Sequence, residues 1–223
     1  MSLPSKKLHV HFSSISLVIS GILFVLYPAL RPFSDESSLQ GAAAFSSTEW
    51  LLSHILAIVA FTLLPLGFYG FQYSLQNSLT YWAFVFCLVG VGLTLPFYGG
   101  ETFGLYAIGL EAINQQSVDL LSQADIVRSG FGLVMFVIGL LLVAIAAILL
   151  TIALWTSNKY LKFSGIPLTL GMILYLPQFF FDQPLRVTHG MLVAIGCIWI
   201  AIELWSKRND TNEQKTQSNT VSL

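Results

Sequence analysis

Charged residues are scarce in this chain of 223 residues: Asp, Glu, Lys and Arg together make up 9% of it, against about a quarter in an ordinary soluble domain. This shortage excludes a soluble globular fold with a charged surface. The ten Lys and Arg are scattered and form no basic patch, so nucleic acid is not an expected partner. Hydrophobic residues make up 55% of the chain, which predicts a protein embedded in a lipid bilayer.

Cysteine and the common catalytic signatures are also missing or rare. The two cysteines, Cys87 and Cys197, fall near the middle of apolar runs and are expected to be small packing residues. The sequence contains no HExxH, GxSxG, phosphate-binding loop or CxxCH. No ionisable residue lies near the midpoint of an apolar run, which argues against a transporter or pump that uses a charged site at the midplane.

Six apolar runs are each long enough to cross about 30 Å of hydrocarbon as a helix of roughly 20 residues. They cover residues 10–30, 50–71, 79–98, 131–155, 163–181 and 187–205. We therefore predict an all-α fold, an integral membrane bundle of six transmembrane helices that forms one domain over residues 1–208. The polar residues 209–223 are predicted to be a disordered cytoplasmic tail. The lipid bilayer is the first expected partner.

The basic residues favour one orientation in the membrane. If the N terminus is inside and the connections alternate between the two sides, seven of the ten Lys and Arg lie on the inner side, and only Arg31, Arg128 and Arg186 lie outside. Because cytoplasmic loops are the basic ones, we predict a multi-pass protein of the cell membrane with both termini in the cytoplasm. Most of the acids then lie outside, so any chemistry is expected at the outer face.

Two apolar runs end in similar segments, LPFYGGE at residues 95–101 and LPQFFFD at residues 176–182. In each segment an acid follows a proline by five residues. A proline near the end of a helix frees a backbone carbonyl and bends the helix, which would separate the outer ends and open a cleft. Alternatively, the prolines only terminate their helices.

Polar residues gather at one predicted depth near the outer ends of the helices. The first functional hypothesis is a protein that binds a small molecule or a membrane-protein partner in an outward-facing polar pocket. Its candidate ligand-binding residues are Tyr98, Glu101, Arg128, Asp182 and Arg186. Simpler interpretations remain open, because Asp182 and Arg186 are four residues apart and can pair on one helix, and Glu101 can be a solvated loop acid.

Two histidines are predicted at the same depth, His54 in the second helix and His189 in the sixth. Two histidines and a carboxylate are the ligands of a catalytic zinc ion, and two histidines on facing helices can hold a b-type haem. The alternative hypothesis is therefore a metal- or haem-dependent membrane enzyme with His54, His189 and Glu101 as ligands. A hydrogen bond from each histidine to a carbonyl or a lipid headgroup is the simpler interpretation, so the sequence leaves open whether the protein is an enzyme.

The connections between the runs carry local signals. The sequence SSTE at residues 46–49 predicts a capping box at the start of the second helix. Residues 99–127 are predicted to form a kinked extension and a short helix on the outer surface. Small residues four apart, Ser16 with Ser20 and Gly190 with Ala194, predict close contacts between helices.

Three short stretches carry a resemblance: WLLSH at residues 50–54, LLPLGFYG at 63–70 and GGETFGL at 99–105. Together they resemble uncharacterised small multi-pass bacterial membrane proteins over roughly the second and third helices. The resemblance implies a bacterial inner-membrane location. It brings no known activity and no functional residue.

Overall fold

The computed structural model describes residues 5–221, with side chains described for residues 8–206. This part of the chain is helical, which confirms the predicted all-α class. Five of its helices are long and apolar enough to cross a membrane: Leu8–Leu30, Thr48–Leu75, Ser78–Gln115, Gly130–Thr156 and Gln183–Ser206. The chain is a multi-pass membrane protein whose helices contact lipid.

In chain order the α-helices are α1 (Ser5–Leu30), α2 (Leu39–Phe45), α3 (Thr48–Leu75), α4 (Ser78–Gly99), α5 (Leu105–Gln115), α6 (Gln123–Val127), α7 (Gly130–Thr156), α8 (Ile166–Ile173) and α9 (Gln183–Val221). A π-helical turn, Gly100–Gly104, joins α4 to α5 without a break. Two 3-10 turns, Val118–Ser122 and Pro177–Phe180, precede α6 and α9. Side chains are not described beyond residue 206, so the disordered tail predicted for residues 209–223 stays a prediction.

The helices form a closed ring. α1 packs between α3 and α9, α4 packs between α3 and α7, and α8 closes the ring between α7 and α9. Small residues allow the close contacts, as predicted. The Ser20 hydroxyl of α1 donates to the carbonyl of Ala60 in α3 at 2.8 Å. A Cβ atom on Gly21 of α1 would lie 3.1 Å from the Cα atom of Ala194 in α9.

Neighbouring long helices run in opposite directions, so their ends meet at two levels. We call the level at which α1 ends and α3 and α9 begin the Glu101 end. There the Gln183 amide donates to the Pro28 carbonyl at 3.2 Å. We call the opposite level the Lys159 end. There the ring centroids of His11 and Trp205 are 4.0 Å apart.

Aromatic side chains fill the ring towards the Glu101 end. Phe61 is fully buried, and its ring centroid lies 5.0 Å from that of Phe24 and 5.2 Å from that of Tyr175. The hydroxyls of Tyr98 and Tyr175 are 2.7 Å apart and share a hydrogen bond. At this level the ring encloses a core of packed aromatic side chains.

The segment 163–181 differs from the continuous fifth helix that the sequence predicted. It contains α8, which has eight residues, then a turn and the 3-10 turn Pro177–Phe180. Pro177 lacks the N–H group that a continuing α-helix requires, and the helix ends before it at Ile173. The described residues therefore contain five membrane-length helices, and a sixth continuous helix of that length is not among them.

A small helical cap lies at the Glu101 end. α2, α5, α6 and the turn Val118–Ser122 pack around Phe45 and Trp50, which are fully buried. α4 thus continues past Tyr98 through the π-helical turn into the cap, where the sequence predicted a kinked extension. The predicted cap of α3 is displaced by one residue, because Ser47 accepts the Trp50 N–H at 3.1 Å.

Gly90 tests the contact between α4 and α7. A Cβ atom at Gly90 would lie 2.7 Å from the Gly139 carbonyl oxygen, whereas one at Gly92 would have nothing within 4 Å. We expect Gly90→Ala to lower the free energy of unfolding by about 1–3 kcal/mol because the helices must separate. The control Gly92→Ala should be neutral or slightly stabilising. Unfolding in mixed detergent micelles measures both, and equal effects would contradict this packing.

Candidate functional site

Glu101 lies in the π-helical turn between α4 and α5, five residues after Pro96. Such turns within α-helices are frequent at functional sites. Side chains bind two carbonyls of this stretch: the Trp50 indole N–H donates to the Glu101 carbonyl at 2.8 Å, and the Thr102 hydroxyl donates to the Tyr98 carbonyl at 2.6 Å. These bonds stabilise the turn while the Glu101 side chain is buried.

The Glu101 carboxylate pairs with Arg128, which precedes α7. Arg128 Nε donates to Oε1 at 2.6 Å and Nη2 donates to Oε2 at 3.2 Å, so the pair is bidentate. Arg128 Nη1 donates to Glu36 Oε2 at 2.5 Å, and Glu36 Oε1 accepts from Arg31 Nη2 at 2.7 Å. We call this alternating series, Arg31, Glu36, Arg128 and Glu101, the Arg–Glu chain.

Within the Arg–Glu chain, the charged forms of Glu36 and Arg128 are favoured. Burial alone would raise the pKa of Glu36, but the hydrogen bonds and charges of Arg128 and Arg31 outweigh it and hold the pKa below its usual value of 4.5. Burial also opposes the charge on Arg128. The carboxylates of Glu101 and Glu36 outweigh that penalty and raise the pKa of Arg128 above its usual value.

Aromatic rings surround the guanidinium of Arg31. Its Cζ atom lies 4.6 Å from the ring centroid of Phe33 and 4.7 Å from that of Trp50. The Arg186 Cζ atom lies 5.2 Å from the same Phe33 ring. Two cations therefore contact one aromatic side chain, an arrangement favourable to each through its cation–π interaction.

Arg186 does not form the ion pair with Asp182 that the sequence suggested. Arg186 Nε donates to the Phe181 carbonyl and Nη2 to the Phe179 carbonyl, both at 2.8 Å. Phe179 belongs to the 3-10 turn before α9 and Phe181 directly follows it, so their carbonyls lie where helical partners are lacking. Asp182 is exposed, and within the described residues its carboxylate has no ion pair.

A cavity of about 760 Å³ opens among these groups. This volume lies within the roughly 300–1,000 Å³ typical of small-molecule sites. Its charged lining consists of Arg31, Glu36, Glu101, Arg128 and Arg186. Its apolar lining includes Phe97, Leu133, Phe136, Val137, Leu176 and Phe179.

His54 is buried beside Glu101. Its Nδ1–H donates to the Trp50 carbonyl at 2.8 Å, so the neutral ring carries its lone pair on Nε2. Within the described residues Nε2 has no hydrogen-bond partner, and it lies 3.8 Å from Glu101 Oε2. The ring packs against Tyr27, with centroids 5.4 Å apart.

His189 has a structural contact of its own. Its Nε2–H donates to the Gly171 carbonyl in α8 at 2.7 Å. Because α8 has ended, the Tyr175 N–H donates to the Met172 carbonyl and not to the Gly171 carbonyl. The Gly171 carbonyl therefore lacks its helical partner, and His189 supplies the hydrogen bond instead. This is the carbonyl hydrogen bond that the sequence left open as the simpler interpretation.

The metal hypothesis required His54, His189 and Glu101 to meet at one ion. His54 lies beside Glu101, while His189 contacts α8 and Tyr175. Among the residues with described side chains, no group of three His, Cys, Asp or Glu could hold a metal ion. The zinc or b-type haem hypothesis stays a prediction without a structural contact that favours it.

Four of the residues predicted to bind a ligand lie at the cavity: Tyr98, Glu101, Arg128 and Arg186. Asp182 does not line it. Sequence reasoning missed Arg31 and Glu36, although both belong to the Arg–Glu chain. One signal was present, since Arg31 was one of only three cations assigned to the outer side.

The comparisons with protein-family models, curated proteins and solved structures found no match to this chain. The class that the fold defines is a helical membrane protein with five membrane-length apolar helices in its described part. The resemblance to small bacterial membrane proteins remains a prediction from the sequence.

The lowered pKa of Glu36 predicts that the stability of the fold depends on pH. Its lowered pKa means that it stabilises the fold at pH values above about 4.5 and that this contribution is lost as the pH falls through the lowered pKa. Glu36→Gln removes the charged partner of Arg31 and Arg128, so we expect it to cost about 1–3 kcal/mol at neutral pH. From about pH 5 to about pH 3 the variant should then lose less stability than the unchanged protein.

Thermal unfolding in detergent across this pH range measures the effect. Glu111→Gln is the matched control, because Glu111 is exposed and its carboxylate accepts from Gln115 outside the Arg–Glu chain. It should follow the unchanged protein at every pH. If Glu36→Gln also follows the unchanged protein, the Arg–Glu chain does not contribute to stability.

Proposed function

We propose that this protein binds a small amphipathic molecule in the cavity at the Glu101 end, which faces the outside of the cell. The observation that carries the proposal is the lining of the cavity, where five charged side chains adjoin a largely apolar surface. Binding sites for small molecules combine an apolar surface with a few polar groups that fix the orientation of the ligand. The π-helical turn at Glu101 is a second supporting feature.

The proposed binding roles follow from the contacts. Arg128 and Glu101 neutralise each other and form a rigid polar surface, because their hydrogen bonds are bidentate. Tyr98 is held by Tyr175 and by its place in the aromatic core. Arg186 supplies a cation whose bonds within the protein go to backbone carbonyls. Asp182 is left out of this proposal because it is exposed outside the cavity lining.

The proposal includes six crossings of the membrane. α7 ends near the Lys159 end, where Lys159 Nζ donates to the Ser74 hydroxyl at 2.7 Å. α9 begins at the Glu101 end, where Gln183 contacts the end of α1. Residues 157–182 connect the two levels, so we infer that they form a sixth crossing made of α8 and irregular backbone. One domain over residues 1–208 is part of the same proposal.

Contacts with α9 support this interrupted crossing along its length. At the Lys159 end the Leu161 N–H donates to Glu203 Oε2 at 3.2 Å. His189 binds Gly171 further along, and Arg186 binds the Phe179 carbonyl at the Glu101 end. Irregular backbone at membrane depth is tolerated where protein groups satisfy it, and α9 provides such groups here.

The orientation rests on the positive-inside rule. Lys159 and Lys162 follow α7 at the Lys159 end, so we assign this end to the cytoplasm. The cations Arg31, Arg128 and Arg186 at the other end are held by carboxylates, rings and carbonyls. With six crossings, both termini of the chain are cytoplasmic and the cavity opens outwards.

Cysteine labelling tests the orientation. The native Cys87 and Cys197 are buried and should not react. We expect Gln115→Cys, at an exposed position in the cap, to react with an impermeant thiol reagent added to intact cells. The control Asn158→Cys, exposed at the other end, should react only after lysis. The reverse pattern would overturn the orientation.

A cavity-filling substitution tests ligand binding. Val137 and Val134 lie one turn apart on α7, but only Val137 lines the cavity, while Val134 is 53% exposed. We expect a small amphipathic molecule to copurify with the unchanged protein at close to one per chain and to be lost from Val137→Trp. The control Val134→Trp should retain it, because its indole points to lipid rather than into the cavity.

Mass spectrometry of solvent extracts from the purified proteins gives the amounts. Matched unfolding temperatures of the two variants would exclude a general loss of structure. Extracts that are the same for both variants, or that contain no molecule above the level of the surrounding lipids, would contradict the proposed function.

A further inference from the structure

The charges that line the cavity do not balance. Three guanidinium groups face two carboxylates, and the Arg–Glu chain uses both carboxylates for Arg31 and Arg128. Arg186 is left with no carboxylate among the described residues. The lining therefore carries one net positive charge, and that charge belongs to Arg186.

Arg186 is also held in a fixed position. The carbonyls of Phe179 and Phe181 accept from Nη2 and Nε, and the Phe33 ring lies 5.2 Å from Cζ. These contacts leave Nη1 with no partner in the described part of the chain. A partly buried cation is costly unless an anion pairs with it, and a guanidinium binds a carboxylate or a phosphate especially well.

The apolar lining extends from this cation to the lipid-facing surface. Leu133 and Val137 come from α7, and Leu176 and Phe180 come from the interrupted segment before α9. Leu133 is 39% exposed and Phe180 is 88% exposed. A hydrocarbon chain lying along these residues would therefore leave the cavity sideways, into the bilayer.

We propose that the ligand is an anionic amphiphile, whose acid group pairs with Arg186 and whose apolar chain lies between α7 and the turn Pro177–Phe180. This inference rests on the proposed function and names the class of its ligand. The acid can be the carboxylate of a free fatty acid or the phosphate of an anionic phospholipid, since both offer oxygens to the guanidinium. Binding neutralises the one unbalanced charge of the cavity.

The test compares two probes that differ only in the head group. The protein is placed in nanodiscs of phosphatidylcholine, and radiolabelled dodecanoate or dodecanol is added, with empty nanodiscs as the blank. We expect dodecanoate to bind at least about tenfold more tightly than dodecanol, as a charge-assisted hydrogen bond predicts. Equal affinities would overturn the anionic class.

Variants of Arg186 assign the preference to this residue. Arg186→Gln should abolish the preference for dodecanoate, and Arg186→Lys should retain part of it, because lysine keeps the charge but loses the forked donor. Lys162→Gln, an exposed cation at the opposite end, should leave it unchanged. A preference that survives in Arg186→Gln would overturn the inference. Should that variant fail to fold, the comparison of the two probes on the unchanged protein still decides the anionic class.

Two further measurements separate the possible outcomes. Phosphatidylglycerol added to the nanodisc should compete with dodecanoate if the site accepts a phospholipid headgroup, and failure to compete assigns the site to free acids. If dodecanol binds as well as dodecanoate and Val137→Trp blocks both, the proposed function stands and the anionic class is wrong. If neither probe binds and no molecule copurifies, the proposed function itself fails.

Discussion

A carboxylate buried at the end of an apolar bundle requires a cation, and the pairing of Glu101 with Arg128 meets this requirement. Glu101 lies between α4 and α5, whereas Arg128 lies between α6 and α7, so one ion pair connects the bundle to its helical cap. Glu36 extends the network to Arg31 at the end of α1. The ends of the first, fourth and seventh helices are thereby joined at one level around the cavity.

Unpaired backbone groups impose a similar constraint, because a carbonyl in contact with lipid has no water to donate a hydrogen bond to it. Where the helices are irregular, side chains supply the missing donors: Trp50 binds the carbonyl of Glu101, His189 binds that of Gly171, and Arg186 binds those of Phe179 and Phe181. The polar residues near the Glu101 end therefore serve the fold first. Arg186 keeps donor capacity beyond that role, because its bonds to these two carbonyls use only Nε and Nη2.

The sequence alone predicted much of the bundle and part of the site. Helix length and polarity predicted six transmembrane helices, of which five are membrane-length helices in the structure. Of the five residues predicted at one depth as ligand-binding, all but Asp182 line the cavity. Arg31 and Glu36 were missed because the connection between α1 and α2 folds back over the bundle, and no periodic pattern records that path. The alternative hypothesis let the two histidines share a metal ion or a haem, and it stays a prediction, while His189 donates to the Gly171 carbonyl in α8.

Composition and the length of the apolar runs determined that the chain is helical and multi-pass, because hydrocarbon thickness and the satisfaction of backbone groups allow few other solutions. Only the tertiary structure decided which polar groups meet. Arg128 follows Glu101 by 27 residues and Glu36 by 92, so their contacts depend on how the helices pack rather than on local spacing. The tertiary structure also decided that residues 163–181 form an interrupted segment, because α9 supplies the donors that an interrupted helix lacks.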